Sequence, residues 1–462
     1  MNQDSERRDL IVVGAGPSGL AYALGAQIAA ERAGRPLKLT LLEAEDRAGG
    51  WVHTRQVDEY RFETGPYGYL DKHPELGRIV ELLGLGDRVL HPAPAAKNRY
   101  VFVRGRLRRM PRGPLSFLFS RILSVRAKLR LLREPWAPPH PGGDETVADF
   151  ASRRLGKEAA EALVVPMFTG IYAGDPDRAS LASCFPRMAE LERYHGGLFR
   201  ALWRLRKQVR KSGQGVGAPR GLLTSFEGGL VTLVRSLAAR FGEELRLSTA
   251  VAKVERTPDG YRVVTSAGDA LVAPRVVLAA PARKLAGIVE PLGGELGQLL
   301  GGIDYTGVVV VHTAYRPESV RRVPAGFGFL VPRIAGRKLL GSVFVSCIYP
   351  DQAPARELLL RNVLGGALQP ELLVREDREL VDLVRREHRA LLRVADEPAF
   401  TEVVRYPGSL PLYEVGHGDR LSRLERALEK HPGLHVTGNA LRGIGLADCL
   451  AKNFARGEQD YA

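Results

Sequence analysis

The hydrophobic pattern opens on a four-residue apolar run, Leu10-Ile11-Val12-Val13. Gly14-Ala15-Gly16-Pro17-Ser18-Gly19 follows at once, and then an Ala- and Leu-rich stretch over residues 20–33. A second apolar run, 37–42, ends on Glu43. Short apolar runs bounded by glycine predict buried strands, and the longer Ala/Leu stretch predicts a helix. The order is strand, glycine turn, helix, strand, acid, the pattern of a dinucleotide-binding βαβ unit. Gly14 permits the tight turn, Gly16 lets a diphosphate approach bare backbone, and Gly19 lets helix and strand pack closely. Ala15, Pro17 and Ser18 complete a turn whose free N–H groups and partial positive charge suit a pyrophosphate. Glu43 stands where a carboxylate can accept both ribose hydroxyls. Beyond it, Ala44 leads to Arg47, Gly49, Gly50 and Trp51, where a guanidinium and bare N–H groups can face the same diphosphate.

Further along, residues 52–68 read as short strands and turns that close on Gly65-Pro66-Tyr67. Residues 74–85 carry helical spacing, and Asn98-Arg99-Tyr100 enters a strand that turns back at Arg104-Gly105-Arg106. From 110 to 221 the pattern is helical, with helices expected over 146–155, 158–171 and 198–211, a proline-rich connector at 135–143 and a flexible glycine-rich stretch at 212–217. After 221 an α/β pattern returns. A helix is expected over 230–241 and strands over 245–247, 250–256, 261–266 and 276–280. The second sheet is predicted from 308–315, 328–331 and 339–347, and a further strand from 403–406. Residues 356–364, 371–392 and 421–430 read as helical. A last strand, 434–439, leads through Gly443-Ile444-Gly445-Leu446 into a terminal helix. The fold class is therefore α/β: a Rossmann-like dinucleotide-binding domain, a mixed-sheet second domain and an inserted helical region. The expected division is 1–90, 221–300 and 405–462 for a discontinuous cofactor domain, 91–109 and 301–404 for a substrate domain, and 110–220 for the helical region.

The formal charge of +15 and pI of about 9.9 admit three partners: nucleic acid, an anionic membrane surface or an acidic small molecule. No RNP, zinc-finger or helix-turn-helix signature supports the first, so no nucleic-acid partner is expected. Cys184, Cys347 and Cys449 are far apart in the chain and form no CxxC, and no HExxH occurs, so neither a disulfide framework nor a metal site is expected. No eighteen-residue apolar stretch suggests a transmembrane helix, and residues 1–9 lack a signal-peptide core. The expected setting is cytoplasmic, either soluble or peripheral on the inner face of the cell membrane. Two basic apolar segments, 115–133 and 198–211, have the make-up of interfacial membrane helices, or equally of a solvated basic face.

Five stretches together resemble the oxygen-dependent protoporphyrinogen oxidases of the FAD-dependent amine-oxidase superfamily. They are the fingerprint through Gly50; Gly65-Pro66 with Asn98-Arg99-Tyr100; 169–176 followed by Ser183-Cys184-Phe185-Pro186; 407–411 with Tyr413 and Gly416-His417; and Gly438-Asn439 with 443–449. The first and last alone would indicate only the superfamily. The resemblance implies the two-domain FAD fold of the amine-oxidase/glutathione-reductase type and a non-covalent FAD, since no Cys or His sits in a recognisable attachment motif. Val251 and Ala279 join the implied cofactor set, and Gly438, Asn439, Gly443, Gly445 and Leu446 would close the flavin site. The implied reaction takes a hydride from a meso carbon of protoporphyrinogen IX to the flavin, three times over. Dioxygen is the acceptor, H2O2 and protoporphyrin IX are the products, and no side-chain acid–base dyad is called for. Arg99 is the implied anchor for a propionate, although a strand-start arginine is also an ordinary surface residue. Ala173 and Gly174 would leave room for the ring, or simply cap a helix. Leu330 and Tyr349 are candidate walls, or core residues. Tyr67 departs from the family, where Arg or Asn often follows the Gly-Pro pair, and it leaves the substrate open. Coproporphyrinogen III oxidation, which extra basic residues in the site would favour, stays an alternative. So do amine or carotenoid oxidation and a non-catalytic FAD-containing porphyrin carrier. Homodimerisation is also left open.

Overall fold

The computed structural model describes residues 6–212 and 221–462. The expected flexible stretch from 213 lies outside the described residues. Five parallel strands form the cofactor sheet, in the order Leu245–Arg246, Leu39–Leu42, Leu10–Val13, Arg275–Leu278, Leu434–Val436. Its three central strands are buried throughout except for Arg275, as expected of apolar runs covered on both faces. Beside it, Glu6–Arg7, Ala270–Ala273, Gly260–Thr265 and Val251–Thr257 form a four-stranded sheet.

The first helix, Pro17–Arg32, is buried along nearly its whole length because the terminal helix, Leu446–Tyr461, lies against it. Two glycines set this separation. A Cβ on Gly25 would lie 2.1 Å from the Phe454 carbonyl, and one on Gly457 would lie 2.2 Å from that of Tyr22. The C-terminal segment thereby completes the layer begun by the N-terminal fingerprint.

The second sheet has seven strands, in the order Phe400–Pro411, Tyr305–Tyr315, Leu358–Gly365, Leu339–Phe344, Gly328–Leu330, Arg99–Val103, Arg106–Arg109. One face carries Tyr100, Val309, Val311, Phe329 and Leu360 and packs under the amphipathic helix Asp377–Leu391. The opposite face carries Val101, Leu330, Val343, Arg361 and Tyr406 and looks toward the cofactor domain.

Three expectations are corrected here. Residues 356–364 are not helical: Leu358–Gly365 is an inner strand, hydrogen-bonded antiparallel on both sides. A short apolar run does not distinguish a doubly buried strand from a helix by its period. The strand expected over 339–347 ends at Phe344 and passes into a helical turn, Val345–Ile348. The strand expected over 403–406 extends over Phe400–Pro411, so the boundary expected at 405 falls inside the second sheet.

The helical insertion covers the end of this sheet. Val101 and Val103 pack with Ile122, Leu123, Ala127 and Leu131. The helix expected over 158–171 is interrupted by a π-helical turn, Ala160–Val164, just before Pro166, whose missing N–H breaks the regular ladder.

Candidate functional site

The glycine turn has the shape of a diphosphate cradle. Gly14 has φ +101°, and a Cβ on Gly19 would lie 2.0 Å from the Gly14 carbonyl, so turn and helix meet without side chains. A Cβ on Gly16 would meet nothing within 4 Å, and Gly50 comes to the Gly16 Cα from the other side. Ala15 donates its N–H to Glu43 Oε2 at 2.7 Å, and Glu45 donates to Oε1 at 3.0 Å. Each oxygen keeps a lone pair for a ribose hydroxyl. Ala44 and Arg47 are exposed beside it, and Arg47 Nη2 donates back to the Gly50 carbonyl at 2.9 Å. Ser18 is buried at the start of the helix that follows Pro17. Thr249 donates to the Glu43 carbonyl, which sets Val251 close to that acid, while Ala279 donates to the Val13 carbonyl opposite Gly14. These groups fit an ADP-ribosyl diphosphate: open backbone, a helix N-terminus and a shared carboxylate.

At the far end, Gly438 (φ +127°) and Gly443 (φ +81°) flank the loop into the terminal helix, whose N-cap is Gly445 and whose first residue is Leu446. The Tyr413 hydroxyl donates to the Asn439 carbonyl, and His417, stacked on Tyr413 with centroids 4.5 Å apart, pairs its Nε2 with the Leu441 carbonyl at 3.0 Å. The Tyr413 and Gly416-His417 motif thus braces this loop. Asp448 in the helix's first turn pairs with Lys72 and His73.

The substrate-side residues gather on the cofactor-facing side of the seven-stranded sheet. Arg99 is exposed, its guanidinium 5.0 Å from the centroid of the Phe327 ring. Leu330 is partly exposed and lies beside Gly170, where a Cβ would come within 2.8 Å of it. Ala173 is the left-handed C-cap (φ +49°) of the helix Val165–Tyr172, and its carbonyl accepts the Ala367 N–H. The capping reading of this turn is realised, with Gly174 against Phe168 and Leu412. Tyr349, expected as a wall, is only 2% exposed: its ring packs 5.7 Å from that of Tyr67. Tyr67 is also buried, its hydroxyl within reach of two acceptors for its one proton, the Val345 carbonyl at 3.2 Å and Gln352 Oε1 at 3.3 Å. These two rings form a packed flank, not a freely exposed clamp.

A polar cluster beside Gly65-Pro66 was not foreseen. Arg361 donates from Nη2 to the Gly65 carbonyl at 2.9 Å, while its buried Nε has no partner among the described residues. Glu63 is buried. It accepts from the Leu230 N–H at 2.7 Å and the Thr54 hydroxyl at 2.8 Å, and burial pushes its carboxyl up to about 7. His312, wholly buried against Phe62, is held neutral because burial depresses its pKa far below the usual value. The signal was present, since Arg361 and His312 each interrupt an otherwise apolar run.

The description "Flavin containing amine oxidoreductase" matches residues 18–450. The chain is 31% identical to the chloroplastic protoporphyrinogen oxidase of Nicotiana tabacum, over 96% of this chain and 83% of that protein. It is 29% identical to the coproporphyrinogen III oxidase of Bacillus subtilis (strain 168), over 96% of each. A crystal structure from Exiguobacterium sp. 255-15, provisionally assigned as a protoporphyrinogen oxidase, superposes with a TM-score of 0.81 at 27% identity over 99% of both chains. Cyclohexylamine oxidase from Brevibacterium oxydans IH-35A shares the fold, with a TM-score of 0.70 at 18% identity over 98% of this chain and 99% of that one. With the fingerprint cradle, the braced glycine loop and the two-sheet architecture in one chain, the protein belongs to the flavin-containing amine oxidoreductase family and is an oxidoreductase whose cofactor is FAD.

Proposed function

We propose that the protein oxidises a porphyrinogen to the corresponding porphyrin in heme biosynthesis, with dioxygen as acceptor and H2O2 as product. The observation that carries this reading is the pairing of Arg99 with an apolar, glycine-containing sheet face opposite the cofactor cradle. A porphyrinogen offers a broad apolar ring and peripheral carboxylates, and that face offers a broad apolar floor with a guanidinium at its margin. The named activities of the tobacco and Bacillus relatives support the same substrate class.

FAD, when bound, supplies the hydride acceptor. The chain's own residues do the positioning. Gly14, Gly16, Gly49, Gly50 and Arg47 would hold the diphosphate and Glu43 the ribose. Gly65, Pro66 and Trp51 would border the ring system. The N-terminus of the terminal helix at Gly445-Leu446 offers free N–H groups that would favour negative charge there. Arg99 takes a propionate, and Leu330 and Ala173 shape the ring slot. The division into a cofactor domain, a substrate domain and a helical insertion belongs to this reading, with the cofactor domain resuming after Pro411. The helical insertion makes peripheral contact with an anionic membrane from the cytoplasmic side.

The test is anaerobic mixing of the flavin-loaded protein with protoporphyrinogen IX and, separately, with coproporphyrinogen III. Bleaching of the oxidised-flavin band, followed by porphyrin fluorescence on admission of air, is expected with at least one of them. An unbleached flavin with both would defeat the proposal and leave amine oxidation or a porphyrin-carrying role.

A further inference from the structure

Arg99 does not stand alone on its face of the sheet. Arg99 is in register with Gly328, Gly328 with Val343, and Val343 with Arg361. Residues paired in this way project from the same side of a sheet. The two arginines therefore stand at opposite ends of one row that crosses four strands. Three inter-strand steps of about 4.8 Å separate their Cα atoms by roughly 14 Å. Between them the floor is a glycine and a valine, with Leu330 and Gly341 in the next paired row. The strip between them is apolar, with a guanidinium at each end.

Arg361 also has donor capacity to spare. A guanidinium carries five N–H donors. Here its one protein acceptor is the Gly65 carbonyl, and Nε is buried without a partner among the described residues. Glu63, the neighbouring acid, already accepts from the Leu230 N–H and the Thr54 hydroxyl. A charge so far inside the molecule is costly unless an anion or further acceptors meet it. Arg361 nevertheless keeps some exposure.

We propose that Arg361 is a second carboxylate anchor, opposite Arg99, and that the site selects a tetrapyrrole bearing carboxylates on opposite edges, that is, coproporphyrinogen III over protoporphyrinogen IX. Protoporphyrinogen IX has its two propionates on neighbouring pyrroles and presents them along one edge. Coproporphyrinogen III has one propionate on every pyrrole, so a ring anchored at Arg99 still directs carboxylates toward Arg361. Tyr67 fits this arrangement. It puts a packed ring beside Gly65-Pro66, where the guanidinium of Arg361 is the cation hydrogen-bonded to Gly65.

This inference rests on the porphyrinogen reading, and the experiment separates the two. Equilibrium binding of coproporphyrin III, protoporphyrin IX and mesoporphyrin IX to the flavin-loaded protein is measured by quenching, together with KM for each porphyrinogen. Mesoporphyrin IX carries ethyl groups where coproporphyrin III has its third and fourth propionates. The wild-type protein is expected to prefer coproporphyrin III at least tenfold over both dicarboxylates. Arg361→Met is expected to erase that preference by weakening coproporphyrin III alone, with affinities compared on flavin-loaded protein and those for the dicarboxylates unchanged, and Arg361→Lys is expected to restore part of it. Equal affinities in the wild-type protein would overturn the inference, even if Arg361→Met did not fold. So would an Arg361→Met variant that weakens all three porphyrins alike, since Arg361 would then serve only to tie the sheet to Gly65. If neither porphyrinogen bleaches the flavin, the broader reading fails; if both do so with no preference, only the second anchor fails.

Discussion

The guanidinium of Arg99 projects from the margin of the sheet and has an aromatic face beneath it. A cation resting on a ring keeps its N–H edge free for a forked contact with a carboxylate. If Arg99 binds a substrate carboxylate as proposed, Arg99→Ala removes a hydrogen bond to a charged group, worth ~1.5–3 kcal/mol. KM for the porphyrinogen is therefore expected to rise by roughly ten- to a hundredfold with kcat little changed, because the contact is made equally in ground and transition states. Steady-state kinetics on the holoenzyme checks this, and unchanged KM and kcat would remove Arg99 from the site. Residue by residue, the cofactor side was the more legible. A diphosphate demands bare backbone, and glycine spacing records that demand in the chain itself. The substrate side was less so, because exposure decides it. Tyr349 and Leu330 look alike as apolar letters, yet one is buried behind Tyr67 and the other is partly open.

At the scale of elements, the helical insertion is held by charge as well as by apolar packing. Arg154 and Glu134 are both fully buried. Arg154 meets Glu192 at 2.8 Å and Glu134 at 3.5 Å and donates to the Gly196 carbonyl at 2.9 Å. Glu134 in turn accepts the Leu198 and Phe199 N–H groups at 2.8 and 3.0 Å, at the start of the helix Leu198–Ser212. One ion pair thus joins three helical segments. Arg154→Met would leave Glu134 without its buried counter-charge and Glu192 with Arg153 as its remaining partner, a loss on the order of 3–5 kcal/mol. The expected result is a lower urea midpoint, with the cofactor sheet and bound flavin outlasting the helical region. Loss of helical circular dichroism ahead of flavin release would show this, and a single unshifted transition would not. Such a pair is invisible in a linear pattern, where Glu134 and Arg154 read as two more charged letters. The strand Leu358–Gly365 was hidden for a related reason. Arg361 points toward Gly65, while Asn362 faces the other way and donates to the Val311 carbonyl, so polar residues stand on both sides of the strand and no alternation shows.

Across the whole molecule, the helical insertion presents a surface of unusual composition. Leu115, Leu118, Phe119, Leu129, Leu132 and Trp136 are exposed, Phe119 at 81% and Trp136 at 75%. Arg121, Arg126 and Arg133 stand exposed among them. Among the described residues no helix is long and apolar enough to cross a membrane. Large apolar side chains ringed by arginine match the boundary of an anionic bilayer, where the rings enter the acyl region and the guanidinium groups meet phosphate. The insertion also packs on Val101 and Val103, in the strand that begins with Arg99, so this surface and the substrate face share one structural support. A substrate as apolar as a porphyrinogen partitions into lipid, and a site opening beside the bilayer would receive it without passage through bulk water. The holoenzyme is therefore expected to co-sediment with vesicles containing anionic phospholipid and to be released as salt rises, because the arginine contribution is screened. The double variant Leu118→Asp, Phe119→Asp is expected to lose at least tenfold in vesicle partitioning. It should keep its turnover of porphyrinogen presented in detergent, since neither residue lies on the substrate face. Equal partitioning of wild type and variant, or equal binding to purely zwitterionic vesicles, would show that this face is solvated and that the substrate reaches the site from water.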